Sequence, residues 1–416
     1  MNTQVKQKPE RQYYIDWLRI MLIATVFLFH IGMIFNNYDW HIKNTRQYSQ
    51  LEPVMSFLHL WRMPLLFLIS GAGSWYALGK RTSIQYLRER FNRLFIPLLA
   101  GIFLLVPVQV YYERIDEYGS LLHFYPNMFN GVYPEGNFSW HHLWFIVYLF
   151  LISLVITPFL GLFKSRRFQH LTGKVEKLVT KPLGLNLVLV PLIISQLMLK
   201  PLFPEETHDV INDWAFIAFN FTFFMAGFVF FVNARVIGRL KEQRRIYLSE
   251  ALAFIGLLFL MPSAWEVPFW IRDCIDAAVA WSCGVAAIAY AARYLNHDHP
   301  FRKLANEAIY PFYLLHQPAI IIIGYYIIGW EIPVITKVLL ITILSFGASV
   351  AMYWFFIRPF NFTRVIFGMR KRKAAKKKVY KPATSQVEVL GAQGIGQGAL
   401  SKEQSVSRPF SRVSGC

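Results

Sequence analysis

The feature that most limits what this chain can fold into is a series of long, nearly unbroken apolar runs. Leu94–Tyr112, Leu143–Phe163 and Val334–Phe356 are three of them. They show no polar stripe of the kind that a soluble amphipathic helix carries. About 20 apolar residues in a helix cross the ~30 Å hydrocarbon core of a bilayer. The chain therefore reads as an all-α, polytopic membrane helical bundle. Composition agrees: 16% of its 416 residues are charged, against about 25% in soluble domains.

Ten candidate spans follow, at 15–36, 53–78, 94–112, 143–163, 183–199, 211–232, 247–262, 271–291, 308–328 and 334–357. The seventh is short, with Pro262 and Pro268 at its end. Pro97, Pro158, Pro191 and Pro311 lie in or near spans, where neighbouring helices can satisfy the backbone groups they free. The division is a cytoplasmic N-terminus at 1–14, a membrane domain at 15–357, and a basic, disordered cytoplasmic tail at 358–416. No cleavable leader is expected, because the first apolar run is too long and lacks a small-residue cleavage site.

Direction follows from the excess of Lys and Arg in cytoplasmic segments. With the N-terminus inside, the inner segments hold 35 of the 43 basic residues, and the outer loops and their edges hold five. Arg19, Arg62 and Lys337 lie within spans. An even number of spans with both ends in the cytoplasm fits this split. It also accounts for the net charge of +19 without a nucleic-acid partner. The cluster from Met369 to Lys378 suits anionic lipid of the cytoplasmic leaflet. The longest outer loop, 113–142, is rich in Tyr, His, Asn and Trp and offers a polar acceptor a place to dock, or is simply a structured loop. The Gly394-x-Gly396-x-Gly398 run follows no strand and is not a nucleotide loop. Cys274 and Cys283 read as core filling. No metal site is expected.

Ionisable residues inside a membrane are costly and so point to function. The first span carries Asp16, Arg19 and His30. Arg19 and His30 are eleven apart, which places them on one helical face about 16 Å apart along the axis. Asp16 is three residues from Arg19 and can pair with it. Taken singly, Arg19 also suits a snorkelling anchor and His30 a hydrogen-bonded core residue. Arg62 in the second span needs a partner or a wet cavity. Arg90 and Arg93 at the membrane surface could grip phosphates through planar multidentate donors, or serve as ordinary positive-inside anchors. His316 is a second intramembrane histidine, and Pro318 loosens its helix.

Read in order, these segments make the chain similar to the acyltransferase 3 family of membrane acyltransferases, over about residues 11–360. Arg19, ten residues and His30 match the family's first span. Phe67-Leu68-Ile69-Ser70-Gly71 matches the second. Arg90, Arg93, Leu94 and Pro97 match the entry to the third, and His142-Leu143-Trp144-Phe145 matches the start of the fourth. Tyr38–Asn44 and His316-x-Pro318 make it look most like the glucan-biosynthesis branch. It lacks the added extracytoplasmic domain of some members. The resemblance implies an acyl-CoA donor, acetyl or succinyl, from the cytoplasm and a carbohydrate or similar hydroxyl acceptor on the far side of a bacterial inner membrane. His30 would be the general base and Arg19 would hold the donor or the developing oxyanion. Arg90 and Arg93 would hold the CoA phosphates, with Asp16, Arg62, Trp144 and His316 in support. An acyl group passing through His30 itself is a variant of this mechanism. The reading from another class is a secondary transporter of a polar solute with Arg and His along its path. Paired repeats with interrupted helices would be its mark, and none is evident.

Overall fold

The computed structural model describes residues 11–372, save 80 and 262–266. Among the described residues the regular structure is all helical, with one isolated bridge between Val132 and Phe138. Helices stand at all ten expected places. They are α1 (Tyr13–Met33), α2 (Glu52–Leu78), α3 (Ser83–Glu113), α4 (His141–Phe163), α5 (Gly184–Leu199), α6 (Trp214–Val229), α7 (Ala234–Leu260), α8 (Phe269–Tyr294), α9 (Pro300–Ile328) and α10 (Val334–Ile357).

Seven of these, α1 to α4 and α8 to α10, are long and apolar enough to cross a membrane. The tally reaches eight when α6 and α7, bent by 108° at the break between them, are taken as one span. α5 is a shorter apolar helix. The difference from ten has a local cause. The seventh predicted span begins at 247, but helix α7 starts at Ala234 and runs through the charged stretch Arg235–Arg245 before it becomes apolar. The lipid binding and disorder expected of the basic tail fall, from 373 onward, outside the described residues. The segment before it is ordered: a short helix at Asn361–Ile366 places Arg364 3.0 Å from Glu307 of α9.

α1 is the helix around which the site is built. It packs on α2, α8, α9 and α10, and ten of its residues are buried, from Tyr14 to Ile31. α2 in turn crosses α6 at backbone distance. A Cβ on Gly71 would lie 2.0 Å from the Phe224 carbonyl oxygen, and one on Gly227 would lie 1.9 Å from that of Leu68. Small residues allow such approach where helix association depends on close packing rather than on expulsion of water. The Ser70-Gly71 end of the family-like motif is therefore a crossing point.

α3 is broken. A π turn at Phe91–Phe95 separates its basic first segment from the apolar remainder. This turn alters the spacing expected for Arg90 and Arg93. The Arg90 guanidinium turns to Ser74 Oγ at 3.1 Å and over the Tyr86 ring, whereas Arg93 turns to Glu89 at 3.5 Å.

Candidate active site

A cavity of about 1500 Å³ opens among the loops at the end of the bundle opposite the N-terminus. His30, His41, Arg62, His141, His142, Trp144, Tyr313 and Gln317 are among its walls. His30 sits near the last turn of α1 and reaches it from below.

The position of His30 is fixed by a chain of hydrogen bonds that begins in α9. His316 is fully buried, and its Nδ1 lies 2.6 Å from the Tyr313 carbonyl oxygen. A carbonyl can only accept, so Nδ1 carries the proton and neutral His316 presents a bare Nε2. That Nε2 lies 2.9 Å from His30 Nδ1. His30 Nδ1–H therefore donates to it, which leaves the His30 Nε2 lone pair free. The two rings stack at 5.1 Å and 20°. On its other side His30 lies nearly parallel to Trp40, at 6.1 Å and 14°. The result is an imidazole with its tautomer set, its ring plane held, and its unprotonated nitrogen without a partner among the described residues.

Pro318 contributes to the same assembly. A proline within a helix has no N–H to give the carbonyl four residues earlier, here that of Leu314. His142 Nε2 takes up this carbonyl at 3.2 Å, and the Tyr313 hydroxyl donates to the carbonyl of His142. His142 thus ties the start of α4 to α9, behind His316. Next to it, Trp144 lines the cavity and stacks on His208 at 4.4 Å.

The wall formed by residues 34–48 is held by two lysines. Lys43 Nζ donates to the carbonyls of Met33, Asn36 and Tyr38 at 2.5–2.7 Å. Lys337 Nζ, from inside α10, donates to Asn44 Oδ1 at 3.0 Å. Trp40 and His41 are thereby fixed over the cavity. His41 Nδ1–H donates to the Glu113 carboxylate, and its Nε2 accepts from the Gln317 amide at 3.1 Å.

Arg62 is 3% exposed, and its guanidinium lies 3.4 Å from the centre of the Phe29 ring. It forms no ion pair and no hydrogen bond among the described residues; Nε and Nη1 are buried without an acceptor.

The expected site residues therefore fall into two groups. His30, Arg62, Trp144 and, behind His30, His316 come together at the cavity. Arg19, Asp16, Arg90 and Arg93 lie at the other end of the bundle. Arg19 and Arg90 are near enough there for their charges to repel. Arg19 bonds to Asn306 at 3.2 Å and to Asp16 at 3.6 Å. Asp16 is also the counterion of Arg302, a fully buried residue of α9 that the sequence reading passed over. Trp40, His41, Glu113, His142 and Gln317 were likewise not singled out for chemistry. Gln317, beside His316, and Pro318 were the available signals for the α9 part. Among the described residues, no three His, Cys, Asp or Glu are placed to hold a metal ion.

Fold and site together define an integral membrane protein whose histidine-lined cavity is built within a helical bundle. The chain belongs to the acyltransferase 3 family: residues 12–354 match the family described as an acyltransferase domain. It is similar to proteins named Glucans biosynthesis protein C. That of Salmonella schwarzengrund (strain CVM19633) is 24% identical over 338 residues, covering 76% of this chain and 84% of the relative. Those of Salmonella paratyphi B and Salmonella heidelberg are 23% identical with the same coverage. No solved structure matches.

Proposed function

We propose that the protein is an O-acyltransferase of a bacterial inner membrane, carrying an acyl group from cytoplasmic acyl-CoA to a hydroxyl of an extracytoplasmic carbohydrate or similar acceptor. The observation that carries this reading is the free Nε2 of His30 facing the cavity, with Nδ1 engaged by His316 at 2.9 Å. An alcohol is a weak nucleophile near neutral pH and needs a base whose pKa lies near the working pH, which imidazole supplies. The acceptor oxygen attacks the thioester carbonyl carbon while His30 Nε2 takes its proton. Collapse of the adduct breaks the C–S bond, and the departing thiolate recovers that proton.

The excess of Lys and Arg in the loops at the N-terminal end of the bundle supports a cytoplasmic position for that end. Arg19, Arg90 and Arg93 gather at that end and suit the phosphates of CoA. Arg19 is about 16 Å along the axis from His30, so it serves the donor's entry and not the reacting carbonyl. Trp40 and the polar loops around the cavity suit a sugar acceptor, in keeping with the name borne by the Salmonella relatives.

His30→Ala tests the reading. The variant should insert and purify like wild type, while thiol release from acetyl- or succinyl-CoA in the presence of a glucan oligosaccharide falls by about 10²–10⁴. Undiminished transfer overturns the assignment of His30. Solute flux in liposomes without acyl-CoA, with no transfer by wild type, replaces the reading with transport.

A further inference from the structure

We propose that Arg62 is the oxyanion-binding residue of this cavity, giving its guanidinium to the carbonyl oxygen of the acyl group as the tetrahedral adduct forms. The inference rests on the acyl-transfer reading above and adds a second reacting group to it. It begins with an imbalance. A guanidinium buried at membrane depth ordinarily has a carboxylate or a run of carbonyls around it. Arg62 has neither. Its charge rests on the face of Phe29 at 3.4 Å, a contact that offsets part of the cost of burial. Nε and Nη1 are buried with no acceptor. Glu206, the carboxylate whose field reaches it, is already engaged by His59 Nε2 at 2.7 Å. Two other buried cations have resident partners: Arg302 has the carboxylates of Asp16 and Asp298, although its Nε is without an acceptor, and Lys337 has Asn44 and a carbonyl.

The unbalanced charge lies beside the base. Phe29, on which the guanidinium rests, is the neighbour of His30, with ring centres 5.8 Å apart, and Arg62 and His30 line one cavity. In the ground state both proposed reactants are uncharged where they meet: a hydroxyl and a thioester carbonyl. When the acceptor oxygen bonds to the carbonyl carbon, its proton passes to His30 Nε2 and the carbonyl π electrons move to oxygen. That oxygen then carries a full negative charge within reach of this wall. When the adduct collapses, the C–S bond breaks and the oxygen returns to neutrality. A cation without a counterion among the described residues thus gains a partner while the adduct exists. This differential interaction accelerates the reaction instead of tightening substrate binding.

The test uses purified full-length protein in detergent, acetyl- or succinyl-CoA as donor, a glucan oligosaccharide as acceptor, and thiol release as readout. Arg62→Gln should lower kcat by about 10²–10³ with both KM values changed little, and Arg62→Lys should fall between it and wild type. Guanidinium ion at millimolar concentration should restore part of the activity of Arg62→Ala and none of that of His30→Ala. If Arg62→Gln does not purify as a monodisperse species, the Lys variant and the guanidinium rescue decide. Wild-type kcat in the Gln variant overturns the proposal, as does a rise in one KM with kcat unchanged, which would make Arg62 a ground-state binding residue. Inactive wild-type protein with either donor overturns the acyl-transfer reading itself, an outcome distinct from active wild type with an indifferent Arg62.

Discussion

His30 Nδ1 lies 2.9 Å from His316 Nε2, so a histidine on α1 takes its tautomer from a histidine on α9. The second ring is itself set by the Tyr313 carbonyl. His316 is buried away from the cavity, so under the proposed function it would act through His30 as a positioning residue. His316→Ala removes the acceptor of a buried hydrogen bond worth about 1–2 kcal/mol. The rate should fall roughly tenfold or more, at about tenfold per 1.36 kcal/mol. His316→Gln keeps an acceptor on a flexible chain and should recover part of the loss. Kinetics of both variants check this. A Gln variant no better than Ala would mean that ring packing, and not the hydrogen bond, is what His316 supplies.

The crossing of α2 and α6 leads to a second expectation. Gly71→Ala would put a methyl 2.0 Å from the Phe224 carbonyl oxygen, so the helices must part and the cavity wall carrying Arg62 must move. Gly73, two residues on, has nothing within 4 Å of where its Cβ would be. Gly73→Ala should be neutral or slightly stabilising, since alanine is favoured over glycine in a helix by about 1 kcal/mol. Monodisperse yield and thermal midpoint in detergent compare the two. Equal behaviour would show that the crossing is not as tight as described.

The class of fold and half of the candidate site were legible in the sequence, and the physical reason differs for each part. Apolar length alone marks a span, so the ten helices appeared where expected. Whether each one crosses depends on the bend at α6–α7 and on the length of α5, which tertiary packing sets. His30 and Arg62 stood out because charge in an apolar run is rare. His316 stood out for the same reason, but its role depends on a contact between residues 286 apart, which periodicity cannot carry. Arg19 and His30 do share a face of α1, yet a shared face on a helix this long joins the two ends of the bundle and not one site. Trp40, His41 and Glu113 lie in or next to polar loops, where such residues are common and their convergence leaves no pattern in sequence.

The Asp16–Arg302 pair gives a third expectation. Arg302 is fully buried and is held by Asp16 and by Asp298, whose side chain is 38% exposed. Asp16→Asn strips the buried partner and should cost about 3–5 kcal/mol, as expected for breaking a buried ion pair. Asp298→Asn removes the more exposed partner, whose attraction solvent screens, and should cost clearly less. Thermal unfolding of the two variants separates them. Equal losses would show that Asp16 is not the dominant counterion of Arg302.

The last expectation concerns acid, through the loop at the cavity mouth. His208 stacks on Trp144 at 4.4 Å, its backbone N–H donates to Asp213 at 3.2 Å, and its Nε2 is buried without a partner among the described residues. Burial lowers its pKa to about 4, Glu206 and Asp209 opposing the shift and His59 adding to it. In the unfolded chain a histidine titrates near 6.5. Between those two values the unfolded state holds a proton that the folded loop refuses, so stability falls as pH drops from about 6.5 toward 4. Above 6.5 both states are neutral and the effect is absent. Asp213, which accepts from this backbone N–H, is pushed up to about 7 by burial and contributes with the opposite sign over the same range, so the informative quantity is the difference between wild type and His208→Gln, which carries no proton. Hydrogen-exchange protection of residues 200–213, taken relative to the intrinsic rate at each pH, should fall with acid in wild type by more than in the variant. Identical pH slopes for the two proteins between 6.5 and 4.5 would show that the imbalance of protons at His208 does not govern this loop.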